Sequence, residues 1–319
     1  NNTIADATVY LPLDTKKNAQ EFLRLVHPDF VFFIKYEYWL HYLSELKKQN
    51  TPTYLISGIF RSNQMFFKWY GGFYRKALDT FTYFFVQNQN SKDLLLQLGK
   101  TNVSVSGDTR FDRVAAILEK DNSLEFISQF KIKTLTIVIG SSWPKDEELL
   151  VNFINQADTN VKFIIAPHEI KAENIDRLKT LFPDSIKFSD LSTHNSQPIT
   201  HNCLIVDNIG YLSRLYKYAS VCYVGGGFNK SGHHNILEAA VYGKQVLTGP
   251  NFEKFKESVD LKKLGGSFTI TNAKELIDVM QQMNITVAST IAENYVKENA
   301  GATAAILNWL QEKRLFTNA

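Results

Sequence analysis

Short apolar runs rich in β-branched and aromatic residues alternate with longer amphipathic stretches along this chain, and that alternation restricts it to parallel sheets built from βα units. In the first half, strands are predicted at 9–11, 31–34, 53–57, 83–86 and 103–106, with helices at 16–27, 38–49, 64–79 and 91–98. A charged, helix-prone connector follows, from Arg110 to about Phe130. A second series of strands is predicted at 135–139, 162–166, 203–206, 221–224, 245–248 and 267–270. Its helices fall at 145–156, 171–181, 210–218, 234–242, 255–264 and 273–283, and an amphipathic helical tail covers 286–315. The expected fold class is therefore α/β with two doubly wound domains: 1–120, short at its beginning, and 121–300, with 301–319 as a C-terminal helix.

Length and composition exclude several classes. At 319 residues, the chain is long enough for two domains with separate cores. It contains no run of eighteen apolar residues, so no bilayer-spanning helix is predicted. A net charge of +3, with no long basic run, argues against a nucleic-acid partner. Cys203 and Cys222 each lie in a strand-like apolar run and are expected to be buried free thiols. The sequence starts on Asn, has no basic start followed by an apolar core, and enters a strand-like segment almost at once; a preceding segment is expected.

The strongest local signal runs from Val224 through Gly225-Gly226-Gly227-Phe228-Asn229-Lys230-Ser231-Gly232-His233-His234-Asn235 into Ile236-Leu237-Glu238-Ala239-Ala240. It joins an apolar strand to a helical pattern, the context in which a glycine-rich loop approaches a ligand with its backbone. Amides at a helix start favour an anion, and Glu238, one turn in, is placed to accept from ribose hydroxyls. The plain alternative is a turn that only joins strand to helix. The spacing is neither G-x-G-x-x-G nor a phosphate-loop pattern, which argues against NAD binding and P-loop chemistry.

Four more segments end predicted strands, on the rim where open α/β sheets bind ligands. They are Gly140-Ser141-Ser142-Trp143, Ala166-Pro167-His168-Glu169, Val206-Asp207-Asn208-Ile209-Gly210, and Gly249-Pro250 with Phe255-Lys256. In the first domain, Glu37 follows a strand, where it serves either chemistry or a helix N-terminus. Arg61 and Arg110 end two further strands. No zinc spacing and no G-x-S-x-G elbow occur, so neither a metal nor hydrolase chemistry is expected. Residues 60–76 interleave aromatics with Arg61, Lys68, Arg75 and Lys76, which suits either a membrane interface or an aromatic core helix.

With these segments in order, the chain resembles the 3-deoxy-D-manno-octulosonic acid (Kdo) transferases. The loop ending His234-Asn235-Ile236-Leu237-Glu238-Ala239-Ala240 is similar to that family's G-G-H-N-P-L-E-[PA]-A signature. Glu37 and Trp39 match its E-x-W element, residues 106–112 its G-[ST]-x-[KR]-F-D turn in looser form, and Gly249-Pro250 with Phe255-Lys256 its G-P…F-K element. The resemblance implies a GT-B fold of two Rossmann-like domains, with the C-terminal helix returning to the first. It implies a metal-independent, inverting transfer from CMP-Kdo to a lipid A precursor at the cytoplasmic face of the bacterial inner membrane, with no cofactor. Donor binding would then fall to Ser141, Ser142, His168, Gly225, Gly226, Gly227, Gly232, His234, Asn235, Glu238, Gly249 and Lys256. Acceptor binding would fall to Arg61 and Arg110, with Glu37 in a supporting catalytic role.

The family's base, a Glu in a Gly-Glu element of its first βα unit, has no counterpart in this sequence. Donor binding without turnover is therefore expected of these residues. Further departures are His233 for a Gly, Ile236 for a Pro, Ala166 in a segment without the usual Arg, Lys35 for a carboxylate and Leu40 for a Pro. Two rivals stand beside this reading. One is a UDP-sugar GT-B enzyme or epimerase, for which Lys230, Lys254 or Lys256 would supply the extra cation. The other is a membrane-surface binding protein without catalysis.

Overall fold

A computed structural model describes residues 5–130, 135–158, 160–193, 201–282 and 285–314. The chain divides into two compact units. One combines residues 1–112 with 299–319, and the other holds 113–298.

In the first unit, β1 (Val31–Ile34), β2 (Thr53–Gly58), β3 (Tyr83–Val86) and β4 (Val103–Val105) form a parallel sheet in the order β1-β2-β3-β4. One side carries a core of Phe33, Leu43, Leu46, Leu55, Phe60 and Phe84. The other is covered by the helix Ala302–Glu312, whose Ile306 and Leu310 pack with Tyr54 and Phe85. Trp309 of that helix lies 4.2 Å from the Tyr83 ring. Asp112 fixes the helix start, accepting from the backbone N–H of Thr303 at 2.7 Å and from its hydroxyl at 2.8 Å, and also from the Gly301 N–H. It supplies in three dimensions what an N-cap residue normally supplies locally, an arrangement worth about 1 kcal/mol.

In the second unit, β5 (Thr136–Ser142), β6 (Lys162–Pro167), β7 (Ser185–Lys187), β8 (Cys203–Ile205), β9 (Val221–Val224), β10 (Gln245–Thr248) and β11 (Ser267–Thr269) form a parallel sheet. Their order is β11-β10-β9-β5-β6-β8-β7. The chain moves outward from β5 to one side and then crosses back to place β9 on the other. The carboxyl ends of β5 and β9 are thus a topological switch point, where such sheets open a crevice. The strand interiors are buried nearly throughout, as in Val221–Val224 and Gln245–Thr248, because helices cover both faces. Cys203 and Cys222 are free and buried, as expected, and burial pushes both thiols up.

Several expected elements differ. Residues 9–11 form no strand; Tyr10 is 98% exposed and has no neighbouring strand to reward extension. The helix expected over 64–79 is split into a 3₁₀ turn, Met65–Phe67, and the helix Gly72–Leu78. Gly71 separates them: a Cβ there would lie 2.0 Å from the Met65 carbonyl. The tail is two helices, Ile285–Asn299 and Ala302–Glu312, broken at Gly301, whose φ is 110°. Ser185–Lys187 is a short strand not foreseen, and the helix expected over 210–218 is reduced to two short turns. Met283 and Leu315, expected helix ends, lie outside the described residues.

Candidate functional site

The switch point brings two turns together. After β5, the pairing with β6 shifts register between Gly140 and Ser142, and the extra residue, Ser141, has φ of 50°. A bulge of this kind re-aims the chain at a strand end. After β9, Gly225 leaves the strand so close to this turn that a Cβ would lie 2.4 Å from the Ser141 carbonyl oxygen. Gly227 is equally confined, with a Cβ position 2.5 Å from the Gly249 nitrogen in the turn after β10. Three expected segments therefore meet backbone to backbone, which explains why these positions carry glycine. Gly226 has φ of 91°, and Gly232 has φ of 87° with Phe255 pressed against it.

Asp146, which sequence reasoning missed, holds this junction. Its carboxylate accepts from the Gly226 N–H at 2.9 Å, the Trp143 N–H at 2.9 Å and the Tyr223 hydroxyl at 2.6 Å. Burial raises its affinity for a proton, and the three donors oppose that shift. The available signal was a Pro-x-Asp-Glu start to a helix, Pro144–Asn155, right after a strand end. Ser142 is buried, and its hydroxyl donates to Glu147 at 2.7 Å; Glu147 is also bound by Arg177.

Above the junction, three rings assemble. His168 stacks 4.3 Å from Trp143 and lies 4.5 Å from His234, while the Trp143 Nε1–H donates to His234 Nε2 at 3.3 Å. His233 turns the opposite way, packing on Phe255 and donating its Nδ1–H to the His234 carbonyl at 2.6 Å. Burial holds both His233 and His234 below the ordinary imidazole value of 6.5. Asn235 caps the following turn through Leu237 N–H at 3.1 Å and donates to Glu238 at 3.3 Å. Arg113 lies 3.8 Å from the same Glu238 oxygen.

The helix expected over 234–242 is a single turn, Leu237–Ala240. Its macrodipole is correspondingly small. Anion binding at this loop would rest instead on individual donors. Among the described residues, the backbone N–H groups of Gly227, Phe228 and Asn235 have no partner.

Lys256 is not brought to this cluster; it pairs with Asp260 on the outer face of the helix Lys256–Leu264. In the first unit, Glu37 accepts from Trp39 Nε1 at 2.6 Å, which gives the E-x-W spacing a physical purpose. Arg61 lies over the Tyr36 ring at 5.8 Å. Arg110 binds the buried Asp108, which Lys35 also reaches at 3.3 Å. Among the described residues, no group of His, Cys, Asp and Glu side chains is arranged to hold a metal, and no helix is long and apolar enough to cross a membrane.

Residues 2–113 match the N-terminal family model described as 3-deoxy-D-manno-octulosonic-acid transferase (kdotransferase). The chain is 27% identical over 257 residues to the 3-deoxy-D-manno-octulosonic acid transferase of Chlamydophila psittaci, covering 77% of this chain and 58% of that protein. It is 25% identical over 300 residues to the Rickettsia prowazekii transferase, covering 90% of this chain and 64% of that one. Over these residues the chain is similar to the Kdo transferases. It spans less than two thirds of the length of those two Kdo transferases. The UDP-GlcNAc 2-epimerase of Neisseria meningitidis superposes with a TM-score of 0.62 over 93% of this chain and 80% of its own, at 16% identity. That likeness concerns the fold, and the expected α/β fold of the GT-B type is borne out.

The His233 site yields a pH dependence. An imidazole held neutral by burial in the folded chain takes up a proton more readily once unfolded. Stability is thus full above the ordinary value of 6.5 and falls as pH drops below it. His233→Asn, which keeps a donor at the Nδ1 position, should flatten that slope in denaturant unfolding measured between acid and neutral pH. An unchanged slope would assign the dependence to other groups.

Proposed function

We propose that this chain carries the donor-binding part of a Kdo transferase, which moves Kdo from CMP-Kdo to a lipid A precursor by a metal-independent, inverting displacement. The observation that carries the reading is the junction at the carboxyl ends of β5, β6, β9 and β10. There, unpartnered amides of Gly227 and Phe228, the His234 and His168 rings, and the Glu238 carboxylate share one loop system. The amides and His234 suit a phosphate, and Glu238 suits the ribose hydroxyls. The relatives named as Kdo transferases supply the sugar.

The first unit suits an amphiphilic acceptor. An apolar cavity of about 590 Å³ is lined by Phe22, Val26, Phe30, Phe32 and Trp39, with the Glu37 carboxylate among its walls. Acyl chains fit such a lining, and Glu37 is the group there able to orient a hydroxyl. A cytoplasmic membrane surface is proposed as the place of action. Its support is an outward cluster of Trp69, Tyr70 and Phe73, with Trp69 90% exposed and Lys68 beside it.

Two tests follow from this reading. Glu238→Ala should weaken CMP binding by about tenfold or more, the cost of a lost charge-assisted hydrogen bond, as read by calorimetric titration. Equal affinity in the variant would remove Glu238 from the site. Separately, replacing Trp69, Tyr70 and Phe73 together by Ala should abolish sedimentation with anionic liposomes. Unimpaired sedimentation would take the membrane contact away from this cluster.

A further inference from the structure

The Trp143 ring is tied to the candidate site by geometry. The planes of Trp143 and His234 are 11° apart with centroids 6.4 Å apart, and the indole N–H meets His234 Nε2 at 3.3 Å. The two rings therefore lie nearly side by side and share an in-plane hydrogen bond. His168 stacks at 4.3 Å from one and 4.5 Å from the other, so it covers the seam between them. An indole nitrogen only donates, which obliges Nε2 of His234 to accept and leaves the imidazole proton on Nδ1. Among the described residues, nothing accepts from that Nδ1–H.

We propose that Trp143 is a positioning residue that locks His234 in its Nδ1–H tautomer, presenting one neutral, directed donor to the phosphate of the bound nucleotide. The inference rests on the nucleotide reading of this loop. Protonating Nε2 would set two N–H groups against each other, so Trp143 also opposes conversion of His234 to a cation. The surroundings act in the same direction. His168 faces the ring from the turn after β6, His233 adjoins it along the chain, and both disfavour a charge on it alongside burial. Glu238 lies beyond Asn235 on the next turn and is engaged by Asn235 and Arg113. The phosphate is then bound by aimed dipoles, as the free amides of Gly227 and Phe228 would bind it, and with no change of protonation.

The test is long-range ¹H–¹⁵N correlation of the histidine rings in the intact chain at neutral pH, with His234 assigned through His234→Gln. The expected pattern is a protonated Nδ1 and a pyridine-like Nε2. In Trp143→Phe, which keeps an aromatic ring for His168 to stack on, the proton should shift toward Nε2 and CMP affinity should fall about tenfold. A His234 protonated on Nε2, or on both nitrogens, in the unaltered chain would overturn the proposal. So would a Trp143→Phe variant with unchanged tautomer and affinity. Failure of the nucleotide reading itself would register differently: the unaltered chain would hold the Nδ1–H tautomer yet bind no CMP, which would remove the phosphate-donor role while leaving the lock between the rings.

Discussion

One carboxylate organises the second unit. Asp146 is buried and accepts three hydrogen bonds, from the turn after β5, from β9 itself and from the glycine-rich loop that follows β9. Each donor belongs to a different part of the crevice, so a single side chain sets their separation. A buried carboxylate with fewer donors would neutralise or leave a costly unsatisfied group. With three, it becomes a rigid reference for the loops that meet above it. The glycines then follow: Gly225 against Ser141 and Gly227 against Gly249 leave no room for a Cβ.

The two units use a common device at the carboxyl ends of their sheets. Ser57 at the end of β2 and Ser141 at the end of β5 both have positive φ, and both lie at a shift in strand register. Residues other than glycine take that conformation at a cost of about 1–3 kcal/mol, and such strain gathers where a chain must be aimed. In the first unit the turn is secured by Ser57 Oγ, which accepts from the Thr109 N–H at 3.0 Å. In the second it is secured by Ser142 and Glu147 beneath the stacked rings. In both, the strain is stored beside the segments with the most chemistry.

Much of this was legible in the sequence because strand periodicity and loop chemistry are local properties. Among the described residues, all strands but the short Ser185–Lys187 were anticipated, and the one surplus expectation, 9–11, failed because an apolar run without a neighbouring strand predicts nothing. Helix lengths were read less well. Glycines such as Gly71 and Gly301 interrupt the expected helices through contacts and φ values that an amphipathic pattern does not reveal. The glycines, His168, His234 and Asn235 were singled out from their loops, and the structure brings them together. Asp146 and the Trp143–His234 bond were not, since both join residues about eighty to ninety positions apart. Lys256, also singled out from its motif, pairs with Asp260 on its own helix, a contact that the motif does not reveal.

A cytidine nucleotide is proposed to bind where β5, β9 and β10 end. Following backbone amide resonances during titration with CMP tests it most directly. Gly227, Phe228 and Asn235 should shift in a saturable manner, with UDP producing much weaker changes. Shifts confined to the turns after β1 and β2, or an equal response to UDP, would contradict it.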